Sequence, residues 1–493
     1  MQLFVDYRRI TNNLLFGFTV LLLLGGCKSP EAETAKPNIL MISIDDLNTY
    51  LACMGDKNAI TPNIDRLASS GVLFTNAHCQ APLCGPSRSS IMTGLRPSTT
   101  GIYGHIEDDD LRNAHEKTKE SIFLPEYFRN YGYHTMGIGK IFHMHAPTGA
   151  FDESGGRAEG FGPKPENPNF FAWDSDETNT DWGAFPDVDS KMPDVESTEW
   201  VIERLKRDYD KPFFLAIGFL RPHVPLFVPQ KWFDLYNVDS IILPPYLPED
   251  FDDIPEISKR LHEVSMMPST KWAIENGEWK NAVHAYLACV SFVDHYVGQI
   301  LKTLEESKYK DNTIVVLWSD HGYRCGEKGA FAKHALWQEA TKAPVIIAGK
   351  GVNADIRVDQ PIELLDLYPT MLELCNLPKN EKLEGISLKP VMDNPETDLD
   401  KPAIVTYGWN NHAIVKGDYR YIHYEDGSEE LYDHKTDPNE FRNVAQNPDY
   451  LDAKKELIKY LPKINNPWVE LSRHDVNEYM TNQRLEQINK ENK

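Results

Sequence analysis

Residues 39–46, Ile39-Leu40-Met41-Ile42-Ser43-Ile44-Asp45-Asp46, form a short apolar run that ends on two adjacent carboxylates. Nearly unbroken apolarity with three isoleucines reads as a strand buried on both faces, as in a parallel sheet. Comparable runs recur at 133–138, 213–219, 313–318 and 344–348. Helical patterns lie between several of them, including Thr198 to Tyr209 and the long stretch from Trp279 to Glu306. Thr61-Pro62 opens a helix through Leu67, Gly71 closes it, and Val72 to Phe74 is extended. Strands alternating with helices predict an α/β domain around a mostly parallel central sheet. In such sheets ligands gather beyond the carboxyl ends of the strands. Asp45-Asp46 stands there, and Asp320-His321-Gly322 follows the 313–318 strand in the same way.

Two segments break this rhythm. Ala146 to Pro193 is rich in Gly, Pro, Asn and Asp and has neither period; a loop of that length is usually functional or disordered. Its Trp173, Trp182 and phenylalanines either form a rim facing a ligand or pin the loop to the body. Asp239 to Thr270 is the second irregular stretch. Beyond about Pro390 the pattern changes to short alternating runs at 403–407, 412–416, 419–424 and 430–433, then a helical stretch at 451–460. These predict a small antiparallel sheet with a covering helix, so we divide the chain into a main domain, 37–389, and a C-terminal α+β subdomain, 390–493. A length of 493 residues fits a large domain plus a smaller one.

The first residues read as an address. Arg8 and Arg9 precede an apolar run, Leu14 to Leu24, too short for an ordinary spanning helix. Leu24-Gly25-Gly26-Cys27 resembles a bacterial lipobox. The expectation is a signal peptide over 1–26, a lipid on Cys27 holding the chain to a membrane, and a polar tether over 27–36. That describes an exported bacterial lipoprotein of the periplasm or the outer-membrane or cell surface. Lys and Arg number 51 against 74 Asp and Glu, a net charge of −23, which argues against nucleic acid as a partner. Apart from Cys27 and Cys84, the cysteines are Cys53, Cys79, Cys289, Cys325 and Cys375, with no metal-type spacing among them. One or two bridges, or buried free thiols, both suit an exported chain.

The chemistry centres on Cys84-Gly85-Pro86-Ser87-Arg88, followed by Ile91-Met92-Thr93-Gly94. This resembles the signature of the type I sulfatase family, C-x-P-S-R with T-G a few residues on. The resemblance implies that a maturation enzyme oxidises Cys84 to formylglycine, an aldehyde. Hydrated to a geminal diol, an aldehyde offers one hydroxyl to attack sulfur and another to expel sulfate by re-forming the carbonyl, a second exit that Ser or Cys lacks. Beside this signature, Asp45, Asp46 and Asp320, with Cys84 itself, read as ligands of a divalent ion. Adjacent carboxylates repel unless a cation lies between them, and hard oxygens suit calcium, then magnesium, rather than zinc. Most of the family carries Asn where His321 stands; Asp-His at this place resembles the iduronate-2-sulfatase branch. His321 is therefore read as a ligand or as a hydrogen-bond partner of sulfate or nucleophile.

Three further matches follow in family order. Gly139-Lys140-Ile141-Phe142-His143 resembles G-K-x-x-H, Arg221-Pro222-His223-Val224-Pro225 resembles x-P-H-x-P, and Lys333-His334 follows Asp320 where the family places a sulfate-binding lysine. The resemblance implies that Lys140 and Lys333 hold sulfate oxygens, Arg88 stabilises the aldehyde hydrate and His143 assists turnover of the nucleophile. His223 or His334 then protonates the leaving alcohol. Fixed cations suit the charge that spreads over the equatorial oxygens in sulfuryl transfer, and a positioned acid suits a poor alkoxide leaving group. His105, in Gly101-Ile102-Tyr103-Gly104-His105, contacts the sugar or packs structurally; Arg324, Trp409, Asn410 and His412 are weaker candidates.

The resemblance spans roughly Pro37 to Val444 and implies an alkaline-phosphatase-like α/β fold. The expected reaction is hydrolysis of a sulfate monoester on a sulfated carbohydrate: a 2-sulfated uronate, or an algal glycan such as ulvan or carrageenan. A phosphatase or phosphonate hydrolase of the same superfamily, and a glycan-binding lipoprotein without catalysis, are the competing readings.

Overall fold

The computed structural model describes residues 36–166, 180–263 and 267–491. The signal peptide, Cys27, the tether up to residue 35 and Trp173 lie outside these. The central sheet runs through β1 (Asn38–Ile44), β2 (Gly71–His78), β3 (His134–Gly139), β4 (Glu153–Ser154), β5 (Phe213–Phe219), β6 (Thr313–Ser319), β7 (Lys342–Gly349) and β8 (Ile356–Val358). Their spatial order is β8-β2-β7-β6-β1-β5-β3-β4, with Ile362–Glu363 also beside β2. β1 is buried along its whole length and lies parallel to β5 and β6. Its alternate residues feed two separate cores, Ile39 and Met41 on one face and Leu40, Ile42 and Ile44 on the other, so apolarity is required at both parities.

The sheet is mostly parallel, as expected, but β7 runs antiparallel to both β2 and β6. A parallel return needs a crossover that carries the chain back to the other end of the sheet. Residues 320–341 hold only short helical turns, so the chain doubles back where β6 ends. Of the helices, α1 spans Pro62–Ser69, α2 Cys84–Thr93, α3 Pro193–Leu205 and α4 Trp279–Glu306. The patterned helix 198–209 thus starts five residues early, because Pro193 suits a first turn, where its missing N–H costs nothing. α2 belongs with one core through Ile91 and Met92, and α4 lies in the other.

The C-terminal runs form β9 (Ala403–Thr406), β10 (His412–Lys416), β11 (Tyr419–His423) and β12 (Glu429–Asp433), an antiparallel sheet in that order. One face sends Val405, Ala413, Ile422 and Tyr432 into the main core, while Ile414, Tyr421 and Leu431 pack with Leu457 of α5 (Leu451–Ile458). A last helix, α6 (Glu478–Glu491), was not foreseen. The described residues form one compact unit. The tail is bound into it by Trp468, which lies edge-on to Tyr103 at 5.2 Å and donates its indole N–H to Gln483 at 2.9 Å. Trp468→Ala is expected to cost about 3–5 kcal/mol through the cavity it leaves, measured as a lowered denaturant midpoint. An unshifted midpoint would mean the tail is merely apposed. All six described cysteines are free thiols, without a bridge among them.

Candidate active site

The strand registers build the site. Ile44 stands opposite Phe219 on one side and Ser319 on the other, and Gly139 opposite Gly218. Asp45-Asp46, Lys140, Arg221–His223 and Asp320-His321 therefore all leave the sheet at one carboxyl edge. At Asp46 the backbone turns to φ 60°, a left-handed conformation that ends strand alternation, and both carboxylates face one cluster. α2 presents Cys84 in its first turn. Leu83 is extended before it, Pro86 sits early enough not to break the helix, and Gly94 closes it at φ 74°. Gly85 is required by its neighbour, since a Cβ there would come within 2.7 Å of His105 Nδ1.

Three carboxylates and three cations interlock, all of them buried. Lys140 Nζ donates to Asp45 Oδ2 at 2.5 Å, Lys333 Nζ to Asp46 Oδ1 at 2.7 Å, and Arg88 Nε to Asp320 Oδ2 at 2.8 Å. A further Arg88 nitrogen reaches Asp45 Oδ1 at 3.3 Å, and Arg88 also donates to the Lys140 carbonyl. Cys84 Sγ lies 3.3 Å from Lys333 Nζ and 3.3 Å from His321 Nε2. His321 directs its other nitrogen, Nδ1, at the Gly322 carbonyl (2.8 Å), which can only accept, so Nδ1 carries a proton and Nε2 faces the cluster. His223 is held the same way by the Val224 carbonyl at 2.6 Å, with Nε2 3.9 Å from Asp46 Oδ2.

Burial pushes the Asp45 carboxyl up, but Lys140, with His223, Arg88 and Lys333, outweighs it and holds Asp45 well below the usual carboxylate range. For Asp46 burial wins over Lys333, aided by repulsion from Asp45, and its pKa is raised. Burial would lower Lys333, yet Asp46 and the neighbouring anions keep it firmly protonated. Burial drives the Cys84 thiol well up, so it is no thiolate nucleophile.

Asp45, Cys84, Asp320 and His321, and again Asp45, Asp46, Cys84 and His223, bring donor atoms within 4.8 Å of one another. Asp46 Oδ2 is buried and has no hydrogen-bond partner, a costly condition that a cation relieves. The residues thus form a potential metal site whose carboxylate oxygens match a hard divalent ion.

The remaining candidates separate into layers. His143 stacks on His105 with centroids 4.0 Å apart, and Asp108 fixes its loop by accepting from the backbone N–H groups of His143, Met144 and His145. His105 packs between His143 and Gly85 and is tied to Arg473 of the tail by two backbone hydrogen bonds. His334 adopts φ 55°, contacts Tyr407 Oη at 3.2 Å and stacks on His474. Arg324 braces the Lys333 loop by donating to the carbonyls of Lys328, Ala332 and Lys333. Trp409 and Asn410 bond Asn465, and His412 bonds Thr406, apart from the cluster. Sequence reasoning missed Ser43 and gave Ser87 of the signature no role; they brace the Lys140 and Asp320 carbonyls. It also missed Phe161, whose ring stacks on His223 at 4.2 Å and 9°, and His474. No period or motif marks Ser43, Phe161 or His474, whereas Ser87 is the serine of the C-x-P-S-R signature.

The sulfatase family profile matches residues 37–377, and that of the N-sulphoglucosamine sulphohydrolase C-terminal region matches 326–466. A sulfatase of Formosa agariphila is 52% identical, with 94% of this chain and 95% of that protein covered. Iduronate 2-sulfatase of Homo sapiens is 29% identical, covering 82% of this chain and 88% of its own. Among solved structures, the phosphonate monoester hydrolase of Agrobacterium radiobacter superposes with a TM-score of 0.71 at 19% identity, over 86% of this chain and 95% of that one, which shows the shared fold. With the cysteine signature on a buried helix, cations and carboxylates at one sheet edge, and a family profile across more than two thirds of its length, the chain belongs to the sulfatase family and is a sulfuric ester hydrolase.

Proposed function

We propose that the enzyme cleaves a sulfate monoester of a sulfated polysaccharide or oligosaccharide, with a 2-sulfated uronate as the preferred unit, using a formylglycine made from Cys84 and a calcium ion. The observation that carries this reading is the convergence of Cys84, Lys333, His321 and three buried carboxylates in one cluster. The uronate rests on the Asp320-His321 pair and on the likeness to iduronate 2-sulfatase. Export as a lipoprotein anchored through Cys27, and maturation by a formylglycine-generating enzyme, complete the proposal.

Asp45, Asp46, Asp320 and His321 would hold the calcium, which when bound would stabilise negative charge on the sulfuryl oxygens. Hydrated, an aldehyde at position 84 would supply one hydroxyl to attack sulfur and a second to re-form the carbonyl as sulfate departs. Lys140 and Lys333 bind sulfate oxygens, each already fixed by a carboxylate, so little reorganisation is needed when charge develops. Arg88, locked between Asp45 and Asp320, keeps its charge beside position 84. His223 gives a proton to the sugar oxygen as the S–O bond breaks. His143 holds a proton from the position-84 hydroxyl during sulfate release.

Sulfate release from defined sulfated oligosaccharides, compared with turnover of aryl sulfate, aryl phosphate and aryl phosphonate, tests the reading. A faster phosphorus ester would make this a phosphatase or phosphonate hydrolase, and no turnover of any, with formylglycine present by mass spectrometry, would make it a binding protein. Chelation is expected to abolish hydrolysis, with calcium restoring it better than magnesium. Activity that survives exhaustive chelation would remove the ion from the scheme.

A further inference from the structure

Three cations of the cluster are matched by three carboxylates, but a fourth buried cation beside it is not. Arg157 is only 9% exposed. It donates to the Ala158 and Gly160 carbonyls at 3.1 and 3.0 Å, within its own loop, and its Nε is buried with no hydrogen-bond partner. It makes no ion pair among the described residues, whereas Arg88, Arg96, Arg204 and Arg420 each hold a carboxylate. A guanidinium taken out of water without a counter-charge is expensive unless a ligand supplies one.

Its surroundings say which ligand. The Phe161 ring centroid is 5.2 Å from the Arg157 guanidinium carbon and 4.9 Å from Lys140 Nζ, and the same ring stacks on His223. Arg157 is thus one aromatic ring away from both a sulfate-holding lysine and the leaving-group acid. A sugar whose ester oxygen reaches His223 lies against Phe161 and within a ring's breadth of Arg157. Among the described residues Arg221 and Arg420 are the other buried arginines with a free nitrogen, and neither is suited: the free nitrogen of Arg221 faces Gly162 and the residue is fully buried, while Arg420 already pairs with Glu440.

We infer that Arg157 is a specificity residue that binds the carboxylate of the sulfated uronate, a second anion on the same sugar as the ester. The inference rests on the uronate reading above. A carboxylate is planar and accepts from two guanidinium N–H groups at once. It also sets a positive charge beside the cluster for a doubly anionic sugar on a protein whose net charge is −23.

The test compares a 2-sulfated uronate with its methyl ester, taking 4-nitrophenyl sulfate as reference, for the wild type, Arg157→Gln and Arg157→Lys. The wild type is expected to prefer the acid over the ester by about 10- to 100-fold in kcat/KM, mainly through KM. Arg157→Gln should erase that preference, and Arg157→Lys should keep part of it. A wild type indifferent to esterification, or an Arg157→Gln enzyme that loses acid, ester and aryl sulfate in equal measure, overturns the inference. A wild type that turns over aryl sulfate but no sulfated uronate overturns the uronate reading first, and the carboxylate assignment with it.

Discussion

Cys84→Ala, expressed alongside a formylglycine-generating enzyme, is expected to lower sulfate-ester hydrolysis by at least about 10⁴-fold, the scale on which losing a covalent nucleophile acts. No neighbour can replace it. Lys333 and Lys140 are committed to Asp46 and Asp45, His321 Nε2 lies among carboxylates, and among the described residues no other cysteine takes part in the cluster. The fold should tolerate the change. Position 84 is fully buried, and truncating its side chain to a methyl leaves a small cavity that costs about 1–2 kcal/mol. Arg88, which locks α2 to Asp45 and Asp320, is untouched. The melting temperature is therefore expected to fall by only a few degrees while turnover vanishes. A variant with more than about 1% of wild-type rate would show that position 84 is not the acceptor of the sulfuryl group, and that the cluster works as a binding site.

The sheet and the edge where the chemistry gathers were legible because both depend on local features. β1, β5 and β6 are continuous apolar runs, and Asp45, Lys140 and Asp320 each follow a strand directly, so parallel register alone brings them together. The direction of β7 was not legible, since it depends on residues 320–341 lacking a crossover helix, and turns leave no period. α6 escaped for another reason: it docks through one core residue, Met480, and through polar groups, Gln483 to Trp409 and Trp468 among them, so it offers almost no apolar stripe to read. Arg157, Phe161 and His474 escaped because their roles arise from loops folded back over distant chain. A lone arginine in a Gly-rich stretch looks like surface until burial shows that it is not.

His223→Gln separates the two candidate acids through the leaving group. Protonation matters in proportion to how poor the leaving group is. A sugar alkoxide needs the proton, whereas 4-nitrophenolate departs nearly as well without it. His223→Gln is therefore expected to lower kcat/KM about 10²- to 10⁴-fold on a sulfated sugar and far less on 4-nitrophenyl sulfate. The geometry favours His223 for this role. Its Nδ1–H is spent on the Val224 carbonyl; burial, with Lys333, holds the imidazole well below its ordinary pKa, so a proton taken up on Nε2, which points toward Asp46, is readily given away, while Phe161 fixes the plane of the ring. His334 is turned to Tyr407 and His474, and its strained backbone serves to place Lys333. His334→Gln should accordingly slow both substrates to a similar degree, through misplacement of the lysine rather than loss of a proton. If the leaving-group dependence appears in His334→Gln and not in His223→Gln, the acid is His334, and the proton reaches the ester oxygen from the side of the C-terminal segment.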